Sequence, residues 1–308
     1  MTAGSGVTID DVDIDSGGVR LTGRLHRPAG AGDRLPLVVM CQGFGGLAAR
    51  LRMQAHTLAE AGVATLTFDY RSFGRSGGVP RHVVDLAGQR ADLRAAIVAG
   101  SALPGVDPSR VAVWGVSLGG AHAVHVAADG APVAAVIAQV PFNGFPRRVE
   151  GRNRWTTARL FAAIVRDRLG RRLGAAPHYV PLVGRPGEVA IVTTPEAVRH
   201  VTDLGPDVER VEQVAPGAAL DMLRYRPGDV ADRVPVPVLV CAAEFDTETP
   251  LPLVRRIADR APHGELRVFP ATHLEFYDDP QLWARVARTQ VEFLRRTVAA
   301  EAPGRGAG

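Results

Sequence analysis

From Pro36 onward, short and largely apolar runs alternate with longer, helix-compatible segments, and that alternation restricts the fold more than any other feature. The runs are Leu37 to Cys41, Val63 to Phe68, Arg110 to Trp114, Val133 to Val140, Val236 to Ala242 and Glu265 to Phe269. A strand covered on one face alternates apolar with polar residues, whereas a strand covered on both is apolar throughout. These runs therefore predict a parallel sheet with crossover helices on either side, the α/β class. Helices are expected at Arg50 to Ala61, Val83 to Ala99, Leu118 to Ala128, Leu251 to Arg260 and Gln281 to Ala299, lengths that suit βαβ units. Ahead of them, Val7 to Ile14 and Val19 to Arg27 flank Ser16-Gly17-Gly18 and read as an antiparallel hairpin.

The rhythm breaks between Val140 and Val234, where Arg, Pro and Gly are frequent and Phe142, Phe145, Trp155, Phe161, Tyr179 and Tyr225 fall. This stretch reads as a cap inserted between two sheet strands. The expected organisation is a core of residues 1–140 and 234–300, a cap of residues 141–233, and a disordered Gly/Ala/Pro-rich tail of residues 301–308. A chain of 308 residues, 46% hydrophobic, is ample to bury the core such a sheet needs.

Several function classes fall away. All 36 basic residues are arginine, they are dispersed, and aromatic residues do not interleave with them, so nucleic acid is not an expected partner. No apolar window reaches membrane-spanning length and Met1 to Gly6 lack a basic-then-apolar pattern, so no membrane partner and a cytoplasmic location are expected. Cys41 and Cys241 end apolar runs and read as buried, inert thiols. No His/Cys cluster has metal-ligand spacing, so neither metal nor organic cofactor is expected.

The chemistry concentrates after the strand Arg110 to Trp114, which runs into Gly115-Val116-Ser117-Leu118-Gly119 and then a helix-forming stretch. A G-x-S-x-G in a strand, turn, helix context exposes its serine on a strained turn, because the flanking glycines let strand and helix approach closely. A serine hydroxyl needs an adjacent base, itself held in one tautomer by a third group. Asp246 follows the strand Val236 to Ala242, and His273 follows the strand Leu266 to Phe269, so both loops leave the carboxyl edge of the sheet where Ser117 lies. Glu244 and Glu248 compete with Asp246, but spacing from the strand end favours the aspartate. Among the nine histidines, His122 and His125 lie on the helix after Ser117 as packing or lining groups, and His56, His82, His178, His200 and His263 lack a strand-end context.

An oxyanion needs preorganised amide donors. Leu118, just after the nucleophile, supplies one. Phe44, in the Gln42-Gly43-Phe44-Gly45-Gly46 turn that closes the first central strand, supplies the other. Substrate contacts are expected from Gln42 and Gly43 in that turn, from His122, and from the aromatics Phe142 and Trp155.

These residues resemble the α/β-hydrolase superfamily across nearly the whole chain. Asp69-Tyr70-Arg71-Ser72-Phe73-Gly74-Arg75-Ser76-Gly77-Gly78, followed by Pro80-Arg81, is similar to a segment of peptidase-like hydrolases and of microbial thioesterase-like or acyl-transferring enzymes of polyketide pathways. The resemblance implies an eight-stranded, mostly parallel sheet carrying a Ser-His-Asp triad. Many relatives have His-Gly where this chain has Gln42-Gly43, a departure that alters hydrogen bonding beneath the oxyanion hole. Arg71 and Arg75 are open to two readings, an anion contact or a pin for their own loop.

The expected function is a serine hydrolase of the carboxylesterase or thioesterase type, acting on a small-molecule acyl ester or thioester of apolar character. Two alternatives stand beside it: transfer of the acyl group to another acceptor, or elimination of a small acid, with the same triad; and a non-catalytic binding protein on the same fold. A homodimer is among the assemblies the sequence leaves open.

Overall fold

The computed structural model describes residues 6–30, 32–147, 149–204 and 208–298. The expected tail, 301–308, lies outside them. In chain order the core opens with β1 (Val7–Ser16), β2 (Val19–Pro28), β3 (Leu35–Cys41), α1 (Arg52–Glu60), β4 (Ala64–Phe68), α2 (Leu86–Ser101), β5 (Val106–Val116), α3 (Leu118–Ala128) and β6 (Ala135–Gln139). An excursion follows, holding α4 (Arg154–Arg172), β7 (Val180–Pro181), α5 (Pro195–Asp203), β8 (Gln213–Val214) and α6 (Ala218–Met222). The chain returns through β9 (Val238–Ala243), α7 (Leu251–Arg260), β10 (Gly264–Phe269), α8 (Glu275–Asp278) and α9 (Pro280–Thr297).

Eight strands form one sheet in the order β1-β2-β4-β3-β5-β6-β9-β10. The β1/β2 hairpin and its junction with β4 are antiparallel. From β4 to β10 all neighbours are parallel. Except for the edge strand β10, where Arg267 and Val268 are exposed against expectation, the apolar runs are buried on both faces and alternate residues serve different layers: Leu37, Val39 and Cys41 of β3 face one core cluster with α2, α3 and α7. Val38 and Met40 face a second with α1 and α9. A satisfied polar thread crosses the second layer, from Trp114 Nε1 to Gln290 Oε1 (3.0 Å) and from Gln290 Nε2 to Gln139 Oε1 (2.9 Å). Its closed donor and acceptor count fixes α9 against β5 and β6 without leaving a buried group unmade.

Because β6 pairs directly with β9, the chain between them lies off the sheet, and its first part forms a cap. Helix α4 begins with a capping box, Asn153 accepting from the Thr156 amide at 3.0 Å while the Thr156 hydroxyl takes the Asn153 amide at 3.0 Å. Its inner face, Leu160, Ala163 and Ile164, packs with Val180 as a small separate core. Each large side chain so buried contributes roughly 1.5–3 kcal/mol. Asp167 clips the cap together, pairing with Arg171 (3.1 Å) and accepting the amides of His178 (3.1 Å) and Gly217 (2.9 Å). Past α6 the chain is already back on the core: Tyr225 reaches α3, and short helical turns at Pro227–Asp229 and Ala231–Arg233 pack between α3 and α7. Among the described residues no helix is long and apolar enough to cross a membrane.

Candidate active site

Ser117 occupies the elbow between β5 and α3 with φ 54° and ψ −119°, a left-handed conformation for a residue with a side chain. The two flanking glycines are sterically required there. A Cβ on Gly115 would lie 2.2 Å from the Gly119 carbonyl oxygen, and one on Gly119 would lie 2.5 Å from the carbonyl oxygens of Cys41 and Gln42. The strain is held by backbone bonds on both sides, Ser117 N to the Gln139 oxygen (2.9 Å) and Phe142 N to the Ser117 oxygen (3.0 Å).

The register of the sheet brings the Gln42–Gly46 turn to the elbow, since Cys41 at the end of β3 pairs with Gly115 at the end of β5. Gly43 is in such close contact that a Cβ there would stand 3.1 Å from Ser117 Cβ. Leu118 is the first residue of α3, so its amide has no acceptor within the helix. Among the described residues the Phe44 amide likewise meets no protein acceptor. The Leu118 amide directly follows Ser117, and the positive end of α3 adds to the field there.

The other two loops meet at the same edge because Ala243 of β9 pairs with Phe269 of β10. They are stitched by Glu244 N to the Phe269 oxygen (2.8 Å) and Phe245 N to the Ala271 oxygen (3.0 Å). Asp246 and His273 are buried together, His273 Nδ1 standing 2.7 Å from Asp246 Oδ2. The carboxylate also accepts the amides of Glu248 (2.8 Å) and Thr249 (2.7 Å) and the Thr249 hydroxyl (2.7 Å). Burial alone would raise the Asp246 carboxyl, but the charge and hydrogen bond of His273 and the Thr249 donors outweigh it and hold it low. For His273 burial works downward, yet Asp246, then Glu248 and Glu196, win and raise it to about 9. With Nδ1 given to Asp246, Nε2 is the nitrogen left to act as a base. Among the described residues no hydrogen bond joins the Ser117 hydroxyl to the His273 ring, and contacts of this kind often close only around substrate.

Ser117 and His273 open into one cavity of about 1450 Å³, roofed by the cap and lined also by Gln42, Gly43, Phe44 and Phe142. Its walls are mostly apolar. Two expected contacts lie elsewhere. His122 is fully buried behind α3, Nδ1 2.6 Å from the Tyr225 hydroxyl and Nε2 3.1 Å from Gln89 Oε1, because it faces α2 and the returning chain rather than the cavity. Trp155 sits on the outward face of α4, with the Arg154 guanidinium over its ring, so it points to solvent. Arg71 is held by Asp92 (2.7 and 2.9 Å) and Arg75 by Asp11, so both pin the loop that carries them. Cys41 and Cys241 are buried and unpaired, their thiols pushed up to about 12 by burial.

Sequence reasoning missed Tyr277. Its hydroxyl interacts with Ser117 and would meet a Cβ on Gly43 at 2.8 Å, and its ring centroid lies 6.0 Å from that of His273. Burial pushes the phenol up, so it stays neutral beside the serine. Tyr277 follows His273 by one helical turn, and the short helix Glu275–Asp278 returns it to the site. Glu196, on the cap helix α5, was also missed. Its carboxylate accepts from the Thr272 hydroxyl (2.5 Å) and the Leu274 amide (3.1 Å), tying cap to histidine loop.

The Hydrolase_4 family profile, described as serine aminopeptidase, S33, matches residues 33–279. The quorum-quenching protein AidA of Acinetobacter baumannii is 37% identical over 291 residues, 94% of this chain and 95% of that one. The thiohydrolase apmlB of Arthrinium phaeospermum is 33% identical over 238 residues, 72% of this chain and 74% of its own. The crystal structure of the alpha/beta hydrolase GrgF from a Penicillium species superposes with a TM-score of 0.78 at 24% identity, covering 95% of this chain and 99% of that one, and shows the shared fold.

Proposed function

This chain belongs to the Hydrolase_4, serine aminopeptidase S33, family of α/β hydrolases, and from that premise we propose that it cleaves an ester or thioester through an acyl-enzyme on Ser117. The observation that carries the reading is the strained Ser117 elbow, against which the Gln42–Gly46 turn is packed, in one cavity with a His273 whose Nδ1 is committed to Asp246 at 2.7 Å.

In the proposed cycle His273 Nε2 takes the Ser117 proton as the oxygen attacks the acyl carbonyl. The amides of Phe44 and Leu118 hold the oxyanion and Asp246 stabilises the imidazolium. Collapse expels the alcohol or thiol, which receives the proton from His273. Water then attacks the acyl-enzyme by the same route, releasing the acid and restoring the serine. The neutral Tyr277 hydroxyl, which packs against Gly43 and Ser117, supports placement of the serine.

A second reading, transfer of the acyl group to an alcohol, amine or thiol in place of water, is favoured by one observation. The polyketide transferase ATR5 of Stachybotrys chlorohalonatus is 35% identical over 184 residues, 59% of each chain. Acceptor choice depends on how far the cap excludes water.

Labelling with a fluorophosphonate probe tests the nucleophile: the wild type should label and Ser117→Ala should not. Turnover of p-nitrophenyl esters and acyl thioesters should fall in that variant by roughly three to six orders of magnitude. A wild type that neither labels nor turns over any of them overturns the proposal, and products formed with and without a candidate acceptor separate hydrolysis from transfer.

A further inference from the structure

Helix α4 has two apolar faces, and the cap covers one. The covered face is Leu160, Ala163 and Ile164. On the other side Trp155, Ala158, Ala162, Val165, Leu169 and Leu173 recur every three or four residues and so form a continuous stripe. Trp155 is 68% exposed, Leu169 52% and Leu173, just past the helix end, 87%. Beside the stripe, Phe161 is 57% exposed and also lines the cavity, as does exposed Leu223 at the end of α6, which packs on α4. The stripe is therefore continuous with the rim of the cavity. Ordinary surfaces scatter large apolar side chains singly, and an arrayed patch beside a binding cavity marks a docking face.

The charges around it select the occupant. Helix α4 carries Arg154, Arg159, Arg166, Arg168, Arg171 and Arg172 against one acid, Asp167, which is buried in its pair with Arg171. Arg159, Arg166 and Arg172 are exposed on the flanks of the stripe, and among the described residues they make no ion pair. A second copy laid against this face would set these cations against their equivalents. An anionic surface would neutralise them while the tryptophan and leucines enter an apolar layer, the pattern of a helix that lies in a membrane interface.

We propose that the outer face of α4 docks the protein on an anionic lipid surface, with the rim of the cavity turned toward the lipid. The absence of a spanning segment, which underlay the expectation of no membrane partner, does not bear on such in-plane docking. Docking of this kind would let an apolar acyl substrate pass from lipid to cavity without crossing water. The proposal does not depend on the acyl-transfer reading, since binding is measured without turnover.

Of the three tryptophans, Trp114 and Trp283 are buried, so Trp155 reports on the stripe by its own fluorescence. Adding vesicles of equimolar phosphatidylglycerol and phosphatidylcholine should shift the emission to the blue and carry the protein with the vesicles in flotation. Phosphatidylcholine vesicles, or high salt, should not. Leu169→Glu should abolish binding, and Arg159→Glu or Arg166→Glu should each weaken it at least about fivefold. All three side chains are exposed and outside the cavity, so hydrolysis of a soluble p-nitrophenyl ester should match the wild type. Absence of binding to the anionic vesicles, equal binding to both lipids, or a wild-type dimer that Leu169→Glu converts to monomer each overturns the proposal, the last by giving the face to a second copy.

Discussion

His273 is raised to about 9 because three carboxylates, Asp246, Glu248 and Glu196, together outweigh the burial that acts against its charge. Only the neutral imidazole serves as base, so kcat/KM should climb to a plateau well on the alkaline side of an ordinary histidine, near 6.5. Glu248 provides the cleanest check. Its own carboxyl is raised, by burial and then by Asp246 and Glu196 against the opposing pull of His273, and its charge is one of those that raise the imidazole. Glu248→Gln removes one anion facing the imidazolium, so the ascending limb should move toward acid; a limb that stays put or moves toward base shows that Glu248 does not act on His273. Ser117, Asp246 and His273 were legible as positions because each follows an apolar strand and so must sit at the carboxyl edge of the sheet. Tyr277 was not, because its approach to Ser117 depends on a four-residue helix, Glu275–Asp278, that no periodicity announces. His122 was misplaced for a related reason: a glycine-, alanine- and valine-rich helix has no polar face by which to tell the cavity side from the core.

That helix, α3, carries a second consequence. Its bounds, Leu118–Ala128, coincide with those expected from the sequence, fixed by the serine elbow at one end and a turn at Asp129 at the other. Inside the fold His122 is lowered to about 3 and His125 to about 4, in each case first by burial and then by neighbouring cations, Arg90 among them. In the unfolded chain both titrate near 6.5, so below that pH the unfolded state binds more protons than the folded one. Their contribution to stability is therefore complete above about 6.5 and is lost as pH falls toward 4 and then 3, at about 1.4 kcal/mol per pH unit for His122. Tm measured from pH 7 to 5 should fall accordingly, and His122→Gln, which removes the titration, should flatten that slope whatever its stability at neutral pH. An unchanged slope would place the acid sensitivity elsewhere. The strands were as legible as α3 where they are wholly buried, β3, β4 and β9 above all, but β10, whose run was expected to be covered on both faces, is an edge strand with exposed Arg267 and Val268 and shows no two-sided burial.

At the level of the whole molecule the sheet was readable and the cap was not. Parallel strands covered on both faces leave one continuous apolar signature, whereas α4 mixes arginine with apolar residues on two opposite faces, so its sequence shows no single stripe to mark it as a helix. The interruption itself was evident, because residues 141–233 break the strand and helix alternation and β6 still pairs with β9 beyond them. The two parts divide the proposed chemistry: the core sets Ser117, His273 and the amides, while the cap supplies most of the apolar wall of the cavity of about 1450 Å³. That volume exceeds the roughly 300–1,000 Å³ usual for small-molecule sites, so a short acyl group would leave much of the wall unused. Each further methylene placed against it should add up to about 0.8 kcal/mol of binding, or about fourfold. Across p-nitrophenyl esters from acetate to decanoate, kcat/KM should therefore rise steeply with chain length before levelling when the chain reaches the rim at Phe161 and Leu223. A profile that peaks at acetate would mean that the cap closes over the serine in solution and that the cavity does not receive the acyl chain.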